Sequence, residues 1–218
     1  MAVYLVDFEN YHRKQDLVQE LYNTKDFKML KGIEIGLQAG DGTIQKCTEA
    51  VKYPYDFVIG SFHCINYKDI WKPFHENMTP EKATGIYYEY ILETINKFSD
   101  FNVLGHINAL DRYIPYIPDF TPYREIVSEI LRLIISRDKG LEINTSRFRY
   151  NMGNLTMPSD EILKMYRELG GTIITFGSDS HFPEHICYRY DWAMEYLKSF
   201  GFKTLTVFEN RVPEFVNI

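Results

Sequence analysis

The chain has no block of Lys and Arg. Its 24 basic residues are spread against 30 acidic ones, for a formal net charge of −6 over 218 residues. That balance argues against a nucleic-acid or anionic-membrane partner, although a local basic pocket remains open. Cysteine is scarce. Cys47, Cys64 and Cys187 are scattered and odd in number, which excludes a disulfide framework or zinc knuckle and points to a reducing cytoplasm. The opening "MAVYLVDFENYHRKQ" offers six apolar or aromatic residues before charge intervenes. That is too short for a signal-peptide core or a membrane span. Repeats, low-complexity tracts and Ser/Gly-rich linkers are missing as well, so 1–218 reads as one domain, soluble and cytoplasmic. Neither G-x-G-x-x-G nor G-x-x-x-x-G-K-[ST] occurs, so nothing supports a nucleotide-binding loop.

With 45% hydrophobic and 16% aromatic residues, the chain can bury a large core. Apolar runs of strand length recur at "GIEIGL" (32–37), "DFVIGS" (56–61), "FNVLGHI" (101–107), "GLEINT" (140–145), "TIITFGS" (172–178) and "TLTVF" (204–208). Stretches of helical periodicity lie between them. Thr79-Pro80 opens a helix to about Phe98, and Thr121-Pro122 opens one that Gly140 closes. Ser159 caps "DEILKMYREL", which Gly170-Gly171 stops, and a last helix is expected from about Pro183 to Phe200. Alternation of this kind implies an α/β fold with a parallel sheet covered by helices. A β/α barrel and an open doubly wound sheet both fit.

The polar residues favour the barrel. Five of the six strand candidates carry or adjoin a residue able to bind a metal or hydrogen-bond a ligand: Glu34, His63, His106, Asn144, and the pair Asp179 and His181. In a β/α barrel the carboxyl ends of the strands converge on one face, and that face holds the site. Taken singly, Glu34 could be half of a buried ion pair, either histidine a satisfied core residue, and Asp179 a helix cap. Recurrence at successive strand ends points instead to a shared cage of nitrogen and oxygen donors, suited to Zn²⁺, Mn²⁺ or Fe²⁺. His12, His75 and His185 lie outside this pattern and are expected at the surface.

The segments "GIEIG", "YDFVIGSFH", "VLGHINALDRY", "LEINTSRFR", "ELGGTIITFGSDSH" and "FENRVP" together resemble the histidinol-phosphatase branch of the PHP (polymerase and histidinol phosphatase) metallohydrolase family. The resemblance runs in order from about residue 27 to 218. It implies a distorted β/α barrel and up to three divalent metal ions, bridged by hydroxide, acting on a small phosphate monoester such as histidinol phosphate in histidine biosynthesis. By motif, it assigns Glu34 as a bridging ligand and His63 and His106 to the second metal. Asp179 falls to the first metal and His181 to the third, with Arg112 of "LDRY" and Arg149 of "SRFR" holding the substrate phosphate. Guanidinium is the preferred planar partner for phosphate oxygens.

The chain departs from that pattern. It contains no H-x-H, the motif that opens the family's barrel and binds the first metal, and it lacks the further histidine for the third. Asn108 stands where an Asp is usual, and Arg147 where a Gly is usual. The expectation is a barrel missing its first one or two strands, holding fewer ions, with an exposed sheet edge open to homo-oligomerisation. Impaired phosphatase activity follows from it. A catalytically silent metal- or ligand-binding domain is the alternative. A metal-dependent amidohydrolase is disfavoured because "SDSH" supplies Asp-x-His rather than a lone Asp.

Overall fold

The computed structural model describes residues 6–71, 74–150, 152 and 156–218. In chain order these form α1 (Phe8–Tyr22), β1 (Gly32–Gly36), α2 (Asp41–Ala50), β2 (Phe57–Ser61), a short hairpin of β3 (Cys64–Ile65) and β4 (Lys68–Asp69), and α3 (Pro80–Lys97). Then come β5 (Val103–Leu104), α4 (Arg124–Ser136), β6 (Gly140–Asn144), α5 (Asp160–Glu168), β7 (Ile174–Gly177), α6 (Tyr190–Ser199), β8 (Thr204–Glu209) and β9 (Val212–Asn217).

The central sheet is entirely parallel, in the order β1-β2-β5-β6-β7. The order follows the chain without reversal, as in a barrel, whereas a doubly wound sheet reverses at a switch point. Among the described residues the sheet stays open between β1 and β7. The sixth strand candidate does not join it. β8 pairs antiparallel with β9 and packs on the sheet: the Ile174 N–H of β7 donates to Thr206 Oγ1 at 3.2 Å, and Phe208 stacks on Phe57 of β2 with ring centroids 5.3 Å apart.

Local sequence explains the helices. Thr79 Oγ1 accepts from the Lys82 N–H, Pro80 occupies the first turn, and α3 buries Ala83, Tyr87, Ile91 and Ile95 at a four-residue spacing. Val127, Ile130, Leu131 and Ile134 do the same for α4 at i, i+3, i+4 and i+7. Ser159 caps α5, and Gly170 follows its end at φ +90°. The expected last helix is shorter than 183–200. Residues 183–185 form a separate turn, and Cys187 and Arg189 adopt left-handed φ values of 56° and 62°, which an α-helix cannot accommodate.

His12 corrects a second expectation: it is buried rather than exposed. Placed on α1, it stacks on Tyr53 with ring centroids 4.7 Å apart and lies tilted against Tyr55 at 4.5 Å. His75 and His185 are half-buried. α1 also leans on the free side of β1. Tyr11 Oη and Gln15 Nε2 both donate to the Gly32 carbonyl at 3.2 Å, so part of the edge expected to be open is occupied.

The amino-terminal ends of the strands are closed by the β8–β9 turn, in which Asn210 and Arg211 both have positive φ. Asp56, just ahead of β2, accepts from the Lys31 N–H at 2.7 Å and the Asn210 N–H at 2.9 Å. Asn102, just ahead of β5, accepts from the Val58 N–H and donates to the Arg211 carbonyl. The opposite, carboxyl-terminal end of the sheet carries the ligand-type residues.

Candidate functional site

Glu34 leaves the middle of β1, His63 follows β2 by two residues, and His106 follows β5 by two. Parallel pairing of β1, β2 and β5 carries the three side chains toward one end of the sheet, although Glu34 is itself in register with Ile59. The two Nε2 atoms of His63 and His106 lie 2.9 Å apart, and Glu34 Oε1 is 3.4 Å from the first and 3.7 Å from the second. Among the described residues, this is the group of His, Cys, Asp and Glu side chains whose donor atoms all fall within 4.8 Å of one another. Two imidazole nitrogens and a carboxylate oxygen at this spacing make up a divalent-cation donor set.

The proton positions suit that use. His106 Nδ1 lies 3.3 Å from Glu142 Oε2, and the His106 backbone N–H donates to the same oxygen at 3.0 Å. A carboxylate only accepts, so Nδ1 carries the proton and Nε2 keeps its lone pair toward His63. Desolvation, then the neighbouring His106 imidazole, lower the His63 pKa against the opposing pull of Glu34, which favours the neutral ring that a cation requires. Burial pushes the Glu142 carboxyl up, but its hydrogen bonds and charge interaction with His106 and its bond from Asn144 outweigh that and hold it below the ordinary range.

Glu142 and Ser146 are the residues that the sequence reading missed. Glu142 and Asn144 alternate on one face of β6, two residues apart, and the period-two pattern of "LEINTS" carried that signal. Asn144, read as a ligand-facing residue, is instead buried. Its Nδ2 donates to Glu142 Oε2 at 3.0 Å, and its Oδ1 accepts from the Ser146 N–H and Oγ–H at 2.9 and 2.6 Å.

The arginines frame the other side. The Arg112 side chain is 5% exposed; its Nη2 donates to Ser146 Oγ at 2.7 Å and stands 3.6 Å from Asp179 Oδ2. Arg149 Nη2 donates to the carbonyls of Ser178 and Asp179 at 2.8 and 2.6 Å, while its buried Nη1 has no hydrogen-bond partner among the described residues. That leaves a charged donor unused beside Asp179. His181, 73% exposed, turns outward, with Nδ1 3.0 Å from the Asp179 carbonyl oxygen. Asp179 and His181 therefore stand outside the three-residue donor cluster. Arg112 and Asp179 both act on the His63 charge, in opposite senses, which puts that pair on the same face. His106 and Asp179 share a further property, φ values of 25° and 50°. Such strained backbone concentrates at ligand sites.

The two departures from the family pattern have local partners. Asn108 donates to Asp111 Oδ2 at 2.8 Å and to the Thr156 carbonyl at 2.9 Å. Arg147 is buried over the rings of Phe148 and Trp192, at 4.4 and 5.3 Å from their centroids.

Comparison with known proteins agrees with this geometry. The sequence profile of the PHP domain matches residues 1–146. The histidinol-phosphatase of Lactococcus lactis subsp. lactis is 32% identical over 193 residues, spanning 84% of this chain and 70% of that protein. A "probable histidinol-phosphatase" of Clostridium acetobutylicum is 30% identical over 195 residues, spanning 86% and 74%. The crystal structure of histidinol phosphate phosphatase from Lactococcus lactis, complexed with zinc, L-histidinol and phosphate, superposes with a TM-score of 0.80 at 27% identity and covers 97% of this chain and 81% of that one. The chain belongs to the PHP-domain family, among the histidinol-phosphatases.

Proposed function

We propose that the chain is a divalent-metal-dependent phosphoric monoester hydrolase of the histidinol-phosphatase type, acting on a small phosphorylated amino alcohol. The observation that carries this reading is the Glu34–His63–His106 donor cluster, facing the same end of the sheet as Arg112, Arg149 and Asp179. Its histidinol-phosphatase relatives and its zinc-, histidinol- and phosphate-bound neighbour support the same reaction class.

In this reading Glu34, His63 and His106 hold one cation, with zinc as the first choice for a two-imidazole, one-carboxylate set and Mn²⁺ or Fe²⁺ as the others. Asp179 and His181 are the adjoining candidates for further ions. A bound cation supplies positive charge toward a phosphoryl oxygen and acidifies water at neutral pH. The chain's own residues do the rest. Arg149 Nη1 is a buried donor with spare capacity for an anionic oxygen. Arg112, fixed by Ser146, adds a second positive charge next to Asp179. Glu142 keeps His106 in the tautomer that offers Nε2. A cytoplasmic setting, with neither nucleic acid nor membrane as partner, completes the reading; among the described residues no helix is long and apolar enough to cross a membrane.

A second reading has its own support. Only three donors cluster among the described residues, and His181 faces outward, so one ion bound without efficient turnover is the competing outcome. The experiment measures phosphate release from histidinol phosphate with added Zn²⁺ or Mn²⁺, together with metal content. Turnover that disappears in His63→Ala and His106→Ala supports the hydrolase; stoichiometric metal without turnover supports the binding protein. Turnover independent of metal and of both histidines would sink the proposal.

A further inference from the structure

The side chains between the metal end and the arginine end form one continuous series of hydrogen bonds whose direction is dictated at every step. Arg112 can only donate, so Ser146 Oγ accepts from Nη2 at 2.7 Å and passes its own proton to Asn144 Oδ1 at 2.6 Å. Asn144 therefore presents Nδ2 to Glu142 Oε2 at 3.0 Å. From the other side the His106 N–H and Nδ1 meet that same oxygen at 3.0 and 3.3 Å. Each donor points toward Glu142. The middle members Glu142, Asn144 and Ser146 are all buried and come from β6 and the turn after it. A fully satisfied, uniformly directed series in a dry interior is stiff, because each bond polarises the next.

We propose that Glu142 is the common anchor of the site: it positions His106 directly, and through Asn144 and Ser146 it positions Arg112. The carboxyl end of β6 thus sets the spacing between the cation and the phosphate-binding guanidinium without touching either ligand. The inference rests on the hydrolase reading for the roles of His106 and Arg112, but the restraint belongs to this chain's own side chains.

The test uses the whole chain and three readouts: the His106 tautomer by ¹⁵N NMR of the metal-free protein, zinc affinity by calorimetry, and affinity for inorganic phosphate. Glu142→Gln should convert His106 from the Nδ1–H form to a mixture and weaken zinc about tenfold or more. Asn144→Ala should weaken both zinc and phosphate. Ser146→Ala should weaken phosphate severalfold while leaving zinc within about twofold, and Ser146→Thr, which keeps the hydroxyl, should restore phosphate binding. An unchanged tautomer in Glu142→Gln, or an Asn144→Ala variant that loses affinity at one end only, overturns the anchor. If Glu142→Gln does not fold, the Asn144 and Ser146 variants decide. The tautomer readout needs no metal, and His63→Ala tests the metal reading separately, so failure of one is distinguishable from failure of the other.

Discussion

Gly177 makes room for Glu142: a Cβ built on the glycine would overlap Glu142 Oε1 and crowd its Cδ. Both neighbours are constrained, since β7 is hydrogen-bonded to β6 and Glu142 holds His106 and Asn144. Gly177→Ala should therefore cost about 1–3 kcal/mol, the usual range for overpacking an interior. It should weaken zinc binding at the same time, although residue 177 contacts no donor atom of the cluster. Urea denaturation and calorimetry check the two halves; a variant as stable as the parent, with unchanged zinc affinity, contradicts the crowding.

Removing one donor from the three-residue cluster should be felt in metal content before it is felt in stability. Glu34 and His63 keep 39% and 50% of their side chains exposed at the rim, the remainder packed against the protein, so Glu34→Gln and His63→Ala leave little unfilled volume. Their zinc affinity should fall by at least tenfold, with denaturation midpoints near that of the parent in chelator. A large loss of stability in metal-free His63→Ala would mean that the residue is structural.

For the anion, Arg112→Ala and Arg149→Ala should each weaken phosphate by about 1.5–3 kcal/mol, the range for hydrogen bonds to charged groups. Arg149→Ala should also loosen residues 178–179, whose carbonyls it holds. Inhibition by inorganic phosphate is the measurement, and equal inhibition of parent and both variants counts against the assignment.

The buried His12 makes stability depend on pH. Desolvation against the two tyrosines, then the Lys31 charge, lower its pKa from the ordinary 6.5, with Asp16 opposing. The unfolded chain therefore takes up the proton first as pH falls. The contribution of the neutral ring is fully present above about pH 6.5 and declines as pH drops toward the lowered folded-state value. Replacing His12 with Phe should flatten the stability profile over that interval. A parent whose stability is constant from pH 7 to pH 5, after correction for the carboxylates, is inconsistent with this account.

Asp56 is the test of the far end of the sheet. Its carboxylate accepts two backbone N–H bonds, from Lys31 and Asn210. Asp56→Ala should lower stability by about 1.5–3 kcal/mol while leaving zinc affinity unchanged, because the cluster lies at the other end of the strands. Parallel loss of both would show that the two ends are not independent.

Much of this was legible in the sequence. Continuous apolar runs marked all five parallel strands, and Thr79-Pro80 and Ser159 marked two helix starts through chemistry that acts within four residues. Glu34, His63 and His106 could be grouped because each lies within or just after an apolar run of strand length. Other features depend on partners distant in sequence. The burial of His12 requires Tyr53 and Tyr55 from another part of the chain, and nothing near residue 12 encodes them. Glu142 looked like one polar residue within a strand until His106 and Gly177 were placed around it. The break near residue 187 rests on two non-glycine residues in left-handed backbone, for which the local sequence offers no turn signal. Antiparallel pairing of β8 was hidden by its resemblance to the other strands.

The bond between Asp56 and the Asn210 N–H joins positions 154 residues apart. During synthesis, residues 31, 56 and 102 emerge long before the turn that satisfies their end of the sheet. The first strands must therefore wait with buried-type polar groups still hydrated until residues 210 and 211 are available, and their final locking comes late in folding. Closing so long a loop is slow, and the half-made sheet meanwhile offers its strands to other nascent chains.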